Sequence, residues 1–320
     1  MSSPGAPVPE GAFIQVCEVG PRDGFQIETR FIPTDRKIEV VNALLAAGLR
    51  RIQVTSFVSP RAIPQLADGA EVMAGIDRPA GAVFSALVPN AKGAERAVAA
   101  GVTDLHVFCS ASETHNRKNV NKPIAQSLEG FREVAEIARQ AGVRLSGGIA
   151  TAFGCPFEGD VPPAQLVRMA RFYRDELGIA HIGLGDTTGM ATPLTVRAAL
   201  RALREGAPEM GVGLHFHNTR GVGLACVMVG LAEGIDYFDA SVGGLGGCPF
   251  AAGATGNICT EDLVYLLHES GYRTGVDLEK LIEASKLTER VIGRELPGQV
   301  MKAGPRLRLH SPDAVATAAG

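Results

Sequence analysis

A chain of 320 residues with 46% hydrophobic and 20% charged residues has the composition of a globular protein, and its length suits one large domain. The formal net charge of −3 gives no broad basic surface, which argues against a nucleic-acid partner. Because no apolar run approaches about 18 residues, no membrane-spanning helix is expected. Residues 1–12 lack the basic and apolar regions of a secretory signal, so we expect a disordered lead-in on a cytoplasmic protein.

Eight short apolar runs recur along the chain and predict the strands of the fold. Each run is followed by a longer stretch with helical periodicity, and the runs are enriched in Val, Ile and Phe. This length and composition are typical of strands that are buried on both faces of a parallel sheet. The runs lie near residues 14–18, 51–54, 83–87, 105–108, 144–149, 181–184, 213–216 and 237–241.

The stretches between the runs carry signals for the beginnings and ends of helices. Proline is tolerated in the first turn of a helix, where its missing N–H would have no partner, and glycine commonly follows the last turn. The predicted starts are Thr34, Pro123, Pro163 and Thr192-Pro193, and the predicted stops of the first three helices are Gly48, Gly142 and Gly178.

Alternation of strands and helices, with roughly 30 residues per unit, predicts an α/β fold of the (β/α)8 TIM-barrel type. The barrel is predicted over residues 13–304, with a C-terminal helical extension after about residue 260 and a loose tail over residues 305–320. A doubly wound open sheet is the alternative, but no GxGxxG motif follows the first run. Six dispersed cysteines without a CxxC pair argue against a disulfide scaffold and a structural zinc site.

Catalytic groups of such barrels lie at the carboxyl ends of the strands, and the first strand is followed by a charged turn. Arg22 and Asp23 are flanked there by Gly20-Pro21 and Gly24. One interpretation is a surface ion pair in a loop. The other is a carboxylate metal ligand beside a cation that stabilises an oxyanion.

Two histidines follow the seventh run, His215 and His217. Side chains alternate along a strand, so residues i and i+2 point to the same side. A single histidine at such a position is usually a packed core residue. Two together, with Asp23 across the same end of the barrel, favour a shared metal ion.

A glycine-rich segment over residues 243–257 follows the eighth run. Its many glycines, Gly246 and Gly247 among them, suit a loop that closes over a substrate. Cys248 could carry a proton within this loop, and Asn257 could complete a metal shell through its amide oxygen. Two histidines, one aspartate and one asparagine suit Mg2+ or Mn2+.

Asp186 and Thr187 follow the sixth run. Asp186 is interpreted either as a carboxylate that positions the substrate or as a cap for the following helix. Both interpretations place it at the same end of the barrel as Arg22 and His215.

These motifs resemble those of the hydroxymethylglutaryl-CoA lyases, metal-dependent barrel lyases that are related to Claisen synthases. The resemblance extends from about residue 13 to residue 287, and the cysteine loop is its most specific part. The matching motifs are EVGPRDG at 18–24, TSFVSP at 55–60, LGDT at 184–187, HFH at 215–217, GGLGGCPF at 243–250 and GNICTEDLVY at 256–265.

The resemblance implies a divalent-metal-dependent cleavage of 3-hydroxy-3-methylglutaryl-CoA to acetyl-CoA and acetoacetate by a homo-oligomer. The implied metal ligands are Asp23, His215, His217 and Asn257. Arg22 is implied to hold the thioester oxygen. Asp23 or His215 would take the hydroxyl proton, and Cys248 or His215 would supply one to the enolate.

Three positions depart from the family and concern the substrate. Gln53 replaces a glutamate, Thr29 replaces a lysine beside Gln26, and Asn218 replaces an aspartate. We therefore interpret Gln26 and Gln53 as substrate or specificity residues, together with Asp186 and Thr187. Citramalyl-CoA, which would yield pyruvate and acetyl-CoA, is the alternative substrate. A Claisen-type synthase and a non-catalytic CoA-binding homologue are the alternative functions.

Overall fold

A computed structural model of the protein describes residues 6–247 and 256–309. In these residues eight parallel strands pair in chain order, and the last pairs with the first, so that the sheet closes into a barrel. The strands are β1 (Gln15–Glu18), β2 (Arg51–Ser56), β3 (Val83–Leu87), β4 (Asp104–Ser110), β5 (Arg144–Ala150), β6 (His181–Gly185), β7 (Gly211–His215) and β8 (Tyr237–Ala240). The predicted TIM barrel is confirmed.

Helices follow the strands and cover the outside of the barrel. They are α1 (Thr34–Ala46), α2 (Gly69–Gly75), α3 (Ala91–Ala99), α4 (Glu113–Val120), α5 (Ile124–Ala141), α6 (Pro163–Leu177), α7 (Pro193–Gly206), α8 (Gly223–Ala232), α9 (Thr260–Glu269), α10 (Leu278–Ile292) and α11 (Val300–Ala303). The last three form the predicted C-terminal extension, in which α10 packs on α1 and on α9.

The predicted starts and stops lie at the ends of the observed helices. Gly142 and Gly178 follow α5 and α6 in the left-handed region, with φ of +66° and +67°. Thr192 caps α7 by accepting a hydrogen bond from the N–H of Thr195. Among the described helices, none is long and apolar enough to cross a membrane.

The chain ends add short contacts to the barrel. The N–H of Val8 donates to the carbonyl of Leu231 at 2.9 Å, and Val8 is buried, so residues near it pack against the barrel. The domain bounds over residues 13–304 stay a prediction. The five described cysteines are buried and free, in agreement with the expected lack of a disulfide scaffold.

The barrel interior holds a polar cavity of about 230 Å3 beneath its C-terminal mouth. Arg51 pairs with Asp104 at 3.5 Å, and the hydroxyl of Ser146 donates to the other oxygen of Asp104 at 2.8 Å. The ring of His106 lies 3.0 Å from the same hydroxyl. Gln53 and Asp239 line the upper part of this interior cavity, below the site described next.

Candidate active site

The turn after β1 is held by a fully buried carboxylate. Glu18 accepts hydrogen bonds from the N–H groups of Gly20 and Val242, at 2.7 and 2.9 Å, and from the hydroxyl of Thr260 at 2.6 Å. Burial raises the pKa of Glu18 to about 7, although these hydrogen bonds lower it. One side chain thus joins the β1 turn, the β8 loop and the start of α9.

Arg22 and Asp23 form an ion pair at the mouth, with 2.5 Å between guanidinium and carboxylate. Asp23 is 7% exposed, so the interpretation as a surface ion pair is wrong. Gln53 accepts a hydrogen bond from Nε of Arg22, and the amide of Gln26 donates to Asp23 at 3.2 Å. Two of the four predicted specificity residues, Gln53 and Gln26, therefore form hydrogen bonds with this ion pair.

The two histidines face Asp23 from the end of β7. Their ring centroids lie 5.3 Å apart, which confirms that both side chains point to one side. Strand β7 ends at His215 rather than at residue 216, and His217 instead forms an isolated bridge with Asn257. One ligand atom from each of Asp23, His215 and His217 lies within 4.8 Å of the others, a spacing that one metal ion can span.

Asn257 joins the cluster from the far end of the glycine-rich loop. Its amide N–H donates to Asp23 at 2.8 Å and to the carbonyl of Leu245 at 2.9 Å. Oδ1 of Asn257 and Nδ1 of His217 are buried and have no hydrogen-bond partner in the part of the chain that the structure describes. The unpaired amide oxygen of Asn257 suggests an absent partner, whereas His217 turns its other nitrogen, Nε2, toward Asp23 at 3.9 Å. Asp23, His215, His217 and Asn257 together are called the mouth cluster below.

Gly246 leaves the space that the mouth cluster needs. Its φ is +109°, and a Cβ atom there would lie 2.4 Å from the Asn257 amide nitrogen and 3.0 Å from an oxygen of Asp23. Only glycine combines this backbone conformation with so close an approach. Gly247 is the last described residue before residue 256, and Cys248 lies outside the described residues.

The electrostatics at Asp23 and His217 keep the ligand atoms of these two residues available at neutral pH. Burial would raise the pKa of Asp23, but the charges of Arg22, His215 and His217 lower it to about 2. Burial lowers the pKa of His217 to about 4, with the neighbouring His215 acting in the same direction. An ionised carboxylate and a neutral imidazole are the forms that bind metal.

Asp239 belongs to the site, although sequence reasoning missed it. It lies on β8 directly opposite His215 on β7, and its carboxylate is 3.2 Å from Nδ1 of that ring. Burial lowers the pKa of His215, but the hydrogen bond and charge of Asp239 raise it above its usual value. An aspartate within the apolar run at 237–241 was the one available sequence signal.

Asp186 and Thr187 organise neighbouring loops. The carboxylate of Asp186 accepts from the N–H groups of Met190 and Ala191, at 2.7 and 2.9 Å, whereas the cap of α7 is Thr192. The interpretation of Asp186 as the helix cap is therefore wrong, since it binds the loop before the helix. Thr187 accepts from the N–H of Thr151 at 3.0 Å. Their contact with substrate stays a prediction.

Comparisons with known proteins show the family of the chain. A family model described as HMGL-like matches residues 13–288. A hydroxymethylglutaryl-CoA lyase of Bacillus subtilis is 46% identical over 286 residues, covering 89% of this chain and 95% of that protein. A 3-hydroxy-3-isohexenylglutaryl-CoA/hydroxymethylglutaryl-CoA lyase of Pseudomonas aeruginosa is 44% identical over 290 residues, covering 91% and 96%.

Solved structures show similarity to the same family. An HMG-CoA lyase from Acinetobacter baumannii, in complex with coenzyme A and 3-methylmalate, shares 47% identity and a TM-score of 0.88. The match covers 93% of this chain and 97% of that one. The chain therefore belongs to the HMGL-like family of carbon–carbon lyases.

The predicted family and lyase class are confirmed, and citramalyl-CoA is not favoured, since these relatives are named for hydroxymethylglutaryl-CoA or a close homologue of it. Relatives include a cytoplasmic form in Rattus norvegicus and a mitochondrial form in Gallus gallus. The cytoplasmic location of this chain stays a prediction.

Proposed function

We propose that this protein cleaves 3-hydroxy-3-methylglutaryl-CoA to acetyl-CoA and acetoacetate with the help of a divalent metal ion. The observation that carries the proposal is the mouth cluster, where three ligand atoms lie within 4.8 Å of one another beside Arg22. Family membership supports the same chemistry, because relatives over about nine-tenths of the chain are lyases of this type.

The mouth cluster fits such an ion. Asp23, His215, His217 and Asn257 would hold it, and the unpaired buried amide oxygen of Asn257 supports this assignment. Oxygen and imidazole ligands in this combination suit Mg2+ or Mn2+. When bound, the metal would supply Lewis-acid activation that lowers the pKa of the substrate hydroxyl.

The protein's own groups supply the remaining chemistry. Asp23 or His215 takes the hydroxyl proton, the adjacent C–C bond breaks, and its electron pair forms the enolate of the acetyl thioester. Arg22 stabilises the developing enolate oxygen, an effect on the order of 3 kcal/mol for one well-placed donor. Cys248 or His215 then protonates the enolate carbon, which yields acetyl-CoA beside acetoacetate.

A cleft of about 410 Å3 next to the mouth suits the phosphates of CoA. It is lined by the segment that follows Gln26, including Thr29, and by the end of α10. Four arginines line it, namely Arg30, Arg36, Arg290 and Arg294. Guanidinium groups bind phosphate oxygens through paired hydrogen bonds, so we assign the nucleotide end of the acyl-CoA to this cleft. A homo-oligomer stays a prediction.

Product identification tests the proposal. The purified protein is incubated with Mg2+ and hydroxymethylglutaryl-CoA, and the expected products are acetoacetate and acetyl-CoA in equal amounts. Citramalyl-CoA is the comparison substrate and is expected to react more slowly. Absence of acetoacetate, or net condensation of acetyl-CoA with a keto acid, would show that the proposed reaction is wrong.

A further inference from the structure

Asp239 lies directly below the mouth cluster and contacts one of its two histidines. Strand register places it opposite His215, and Nδ1 of that ring is 3.2 Å from the carboxylate. We propose that Asp239 is a positioning residue of the metal site, which binds the Nδ1–H of His215 and so presents Nε2 to the ion. This inference rests on the proposed function, because it concerns the ion that the mouth cluster would hold.

The chemistry of imidazole explains why such a partner matters. A neutral histidine has one N–H donor and one acceptor nitrogen, and the hydrogen bond made by one nitrogen decides which form is present. With Nδ1–H donated to Asp239, the lone pair resides on Nε2. A carboxylate behind a ligating histidine also fixes the ring and increases the basicity of the ligand nitrogen.

His217 provides an internal contrast. Its Nδ1 is buried and unpaired in the described residues, and its side chain is 3% exposed. Within the described residues no hydrogen bond to Nδ1 orients the ring of His217, whereas Nδ1 of His215 is held by a carboxylate on the neighbouring strand. Loss of Asp239 would release one ligand of the cluster and leave the other in place.

The interior cavity allows a charged Asp239 at this depth. Its side chain is 23% exposed and lines the cavity, together with Arg51 and Tyr237. This space of about 230 Å3 is lined largely by polar and charged residues and has room for water molecules. Water in this cavity would hydrate the carboxylate oxygens and so offset the large cost of burying an unsolvated charge.

The affinity of the metal-free protein for Mn2+, measured after treatment with a chelator, tests the inference without measuring turnover. Calorimetric titration with Mn2+ compares the wild type with Asp239→Asn and Asp239→Ala. Removing the partner of a ligating histidine commonly weakens metal binding by about 10- to 100-fold, and we expect that increase in Kd for Asp239→Ala. Asp239→Asn keeps the shape and an acceptor oxygen but lacks the charge, so a smaller increase in Kd is expected.

Asp104→Asn is the matched control, because it removes a carboxylate from the same cavity without touching the mouth cluster. Its Mn2+ affinity should equal that of the wild type, and thermal melting of the metal-free proteins checks that each variant folds. Equal Kd values for the wild type and both Asp239 variants would overturn the inference, as would an equal loss in Asp104→Asn. A wild type without any Mn2+ binding would instead refute the proposed metal dependence.

Discussion

The interior cavity and the mouth above it both bury polar and charged side chains, but they differ in whether these side chains have hydrogen-bond partners. In the cavity, Asp104 is paired with Arg51 and also accepts a hydrogen bond from Ser146. At the mouth, buried atoms of His217 and Asn257 have no partner in the described residues. None of the residues that line the cavity has such a buried and unpaired atom.

This difference distinguishes a structural network from a binding site. A buried polar group without a partner costs about 1–3 kcal/mol, so a fold keeps one only where another group compensates. The cavity residues compensate one another and can hold water. In the mouth cluster the amide oxygen of Asn257 lacks such compensation, and ligand atoms of Asp23, His215 and His217 lie within 4.8 Å of one another, which indicates a ligand. Substitutions in the two regions should therefore have different consequences.

His217→Ala should have the largest effect on metal binding and turnover, since it removes one of the ligands of the mouth cluster. Metal affinity and turnover of hydroxymethylglutaryl-CoA should fall together, by more than the roughly 10- to 100-fold that follows loss of a group that only orients a ligand. Metal titration and steady-state kinetics on the same sample measure both. Full turnover in this variant would remove the mouth cluster from the mechanism.

Arg22→Gln should lower kcat by roughly 10²- to 10³-fold, the scale for losing one oxyanion donor. KM should change little, because the charge that Arg22 meets forms only as the bond breaks. Arg51→Gln is the control from the interior cavity, and it should lower the melting temperature without lowering kcat. A variant at position 22 that altered KM alone would contradict the assigned role.

Gly246→Ala places a methyl group against Asn257 and Asp23, in a backbone region that side chains rarely adopt. A displacement of catalytic groups by about 1 Å can lower a reaction rate on the order of 10²-fold. We therefore expect kcat/KM and metal affinity to fall by about 10- to 100-fold. Gly142→Ala also places a side chain at a positive φ, here +66°, but has nothing within 4 Å of the new atom. The control should lose stability and keep its kinetics, and equal kinetics in both variants would rule out a role for this close approach.

Gln53→Glu should raise kcat for hydroxymethylglutaryl-CoA by about fivefold. A carboxylate at position 53 would still accept from Nε of Arg22 and would hold the guanidinium more firmly toward the developing enolate oxygen. A gain of about 1 kcal/mol in the transition state alone corresponds to this fivefold rise. Gln53→Leu, which has no acceptor, should be slower than the wild type. If kcat were the same for all three, Gln53 would not control the position of Arg22.

The smallest expected effect is a change in the pH dependence of stability. Glu261 lies behind the glycine-rich loop, and burial raises its pKa to about 8 from an ordinary value of 4.5. Its contribution to stability is thus complete below about pH 4.5 and is lost as the pH rises through 8. The wild-type melting temperature should fall as the pH rises from about 4.5 to about 8, and Glu261→Gln should flatten that decline. An unchanged profile would show that Glu261 is not protonated in the folded protein.

Sequence patterns predict most of the architecture, because strands buried on both faces are continuous apolar runs and because glycine and proline delimit helices. The runs at 83–87 and 181–184 match β3 and β6 to within one residue. Agreement is weaker at β7, where the strand begins at Gly211 and ends at His215. The contact between His217 and Asn257, which depends on the path of the loop, replaces the last strand positions.

The site is predictable as far as strand ends determine it. Arg22, Asp23 and the two histidines follow strands whose carboxyl ends must meet in a barrel, so their proximity follows from the fold. The partners beneath them depend on strand register, which no local pattern specifies. Asp239 faces His215 only because β7 and β8 pair in one register, and Gln53 meets Arg22 across the β1–β2 boundary.

Turnover measured during metal titration tests the central claim most directly. The chelated protein is supplied with hydroxymethylglutaryl-CoA, Mg2+ is added stepwise, and acetoacetate and bound metal are measured at each step. We predict negligible turnover without metal and a rise in proportion to bound ion, complete at one ion per chain, with His217→Ala remaining inactive. Full turnover of the chelated protein, or restoration that does not require the mouth cluster, would contradict the assignment of this cluster as a metal-dependent lyase site.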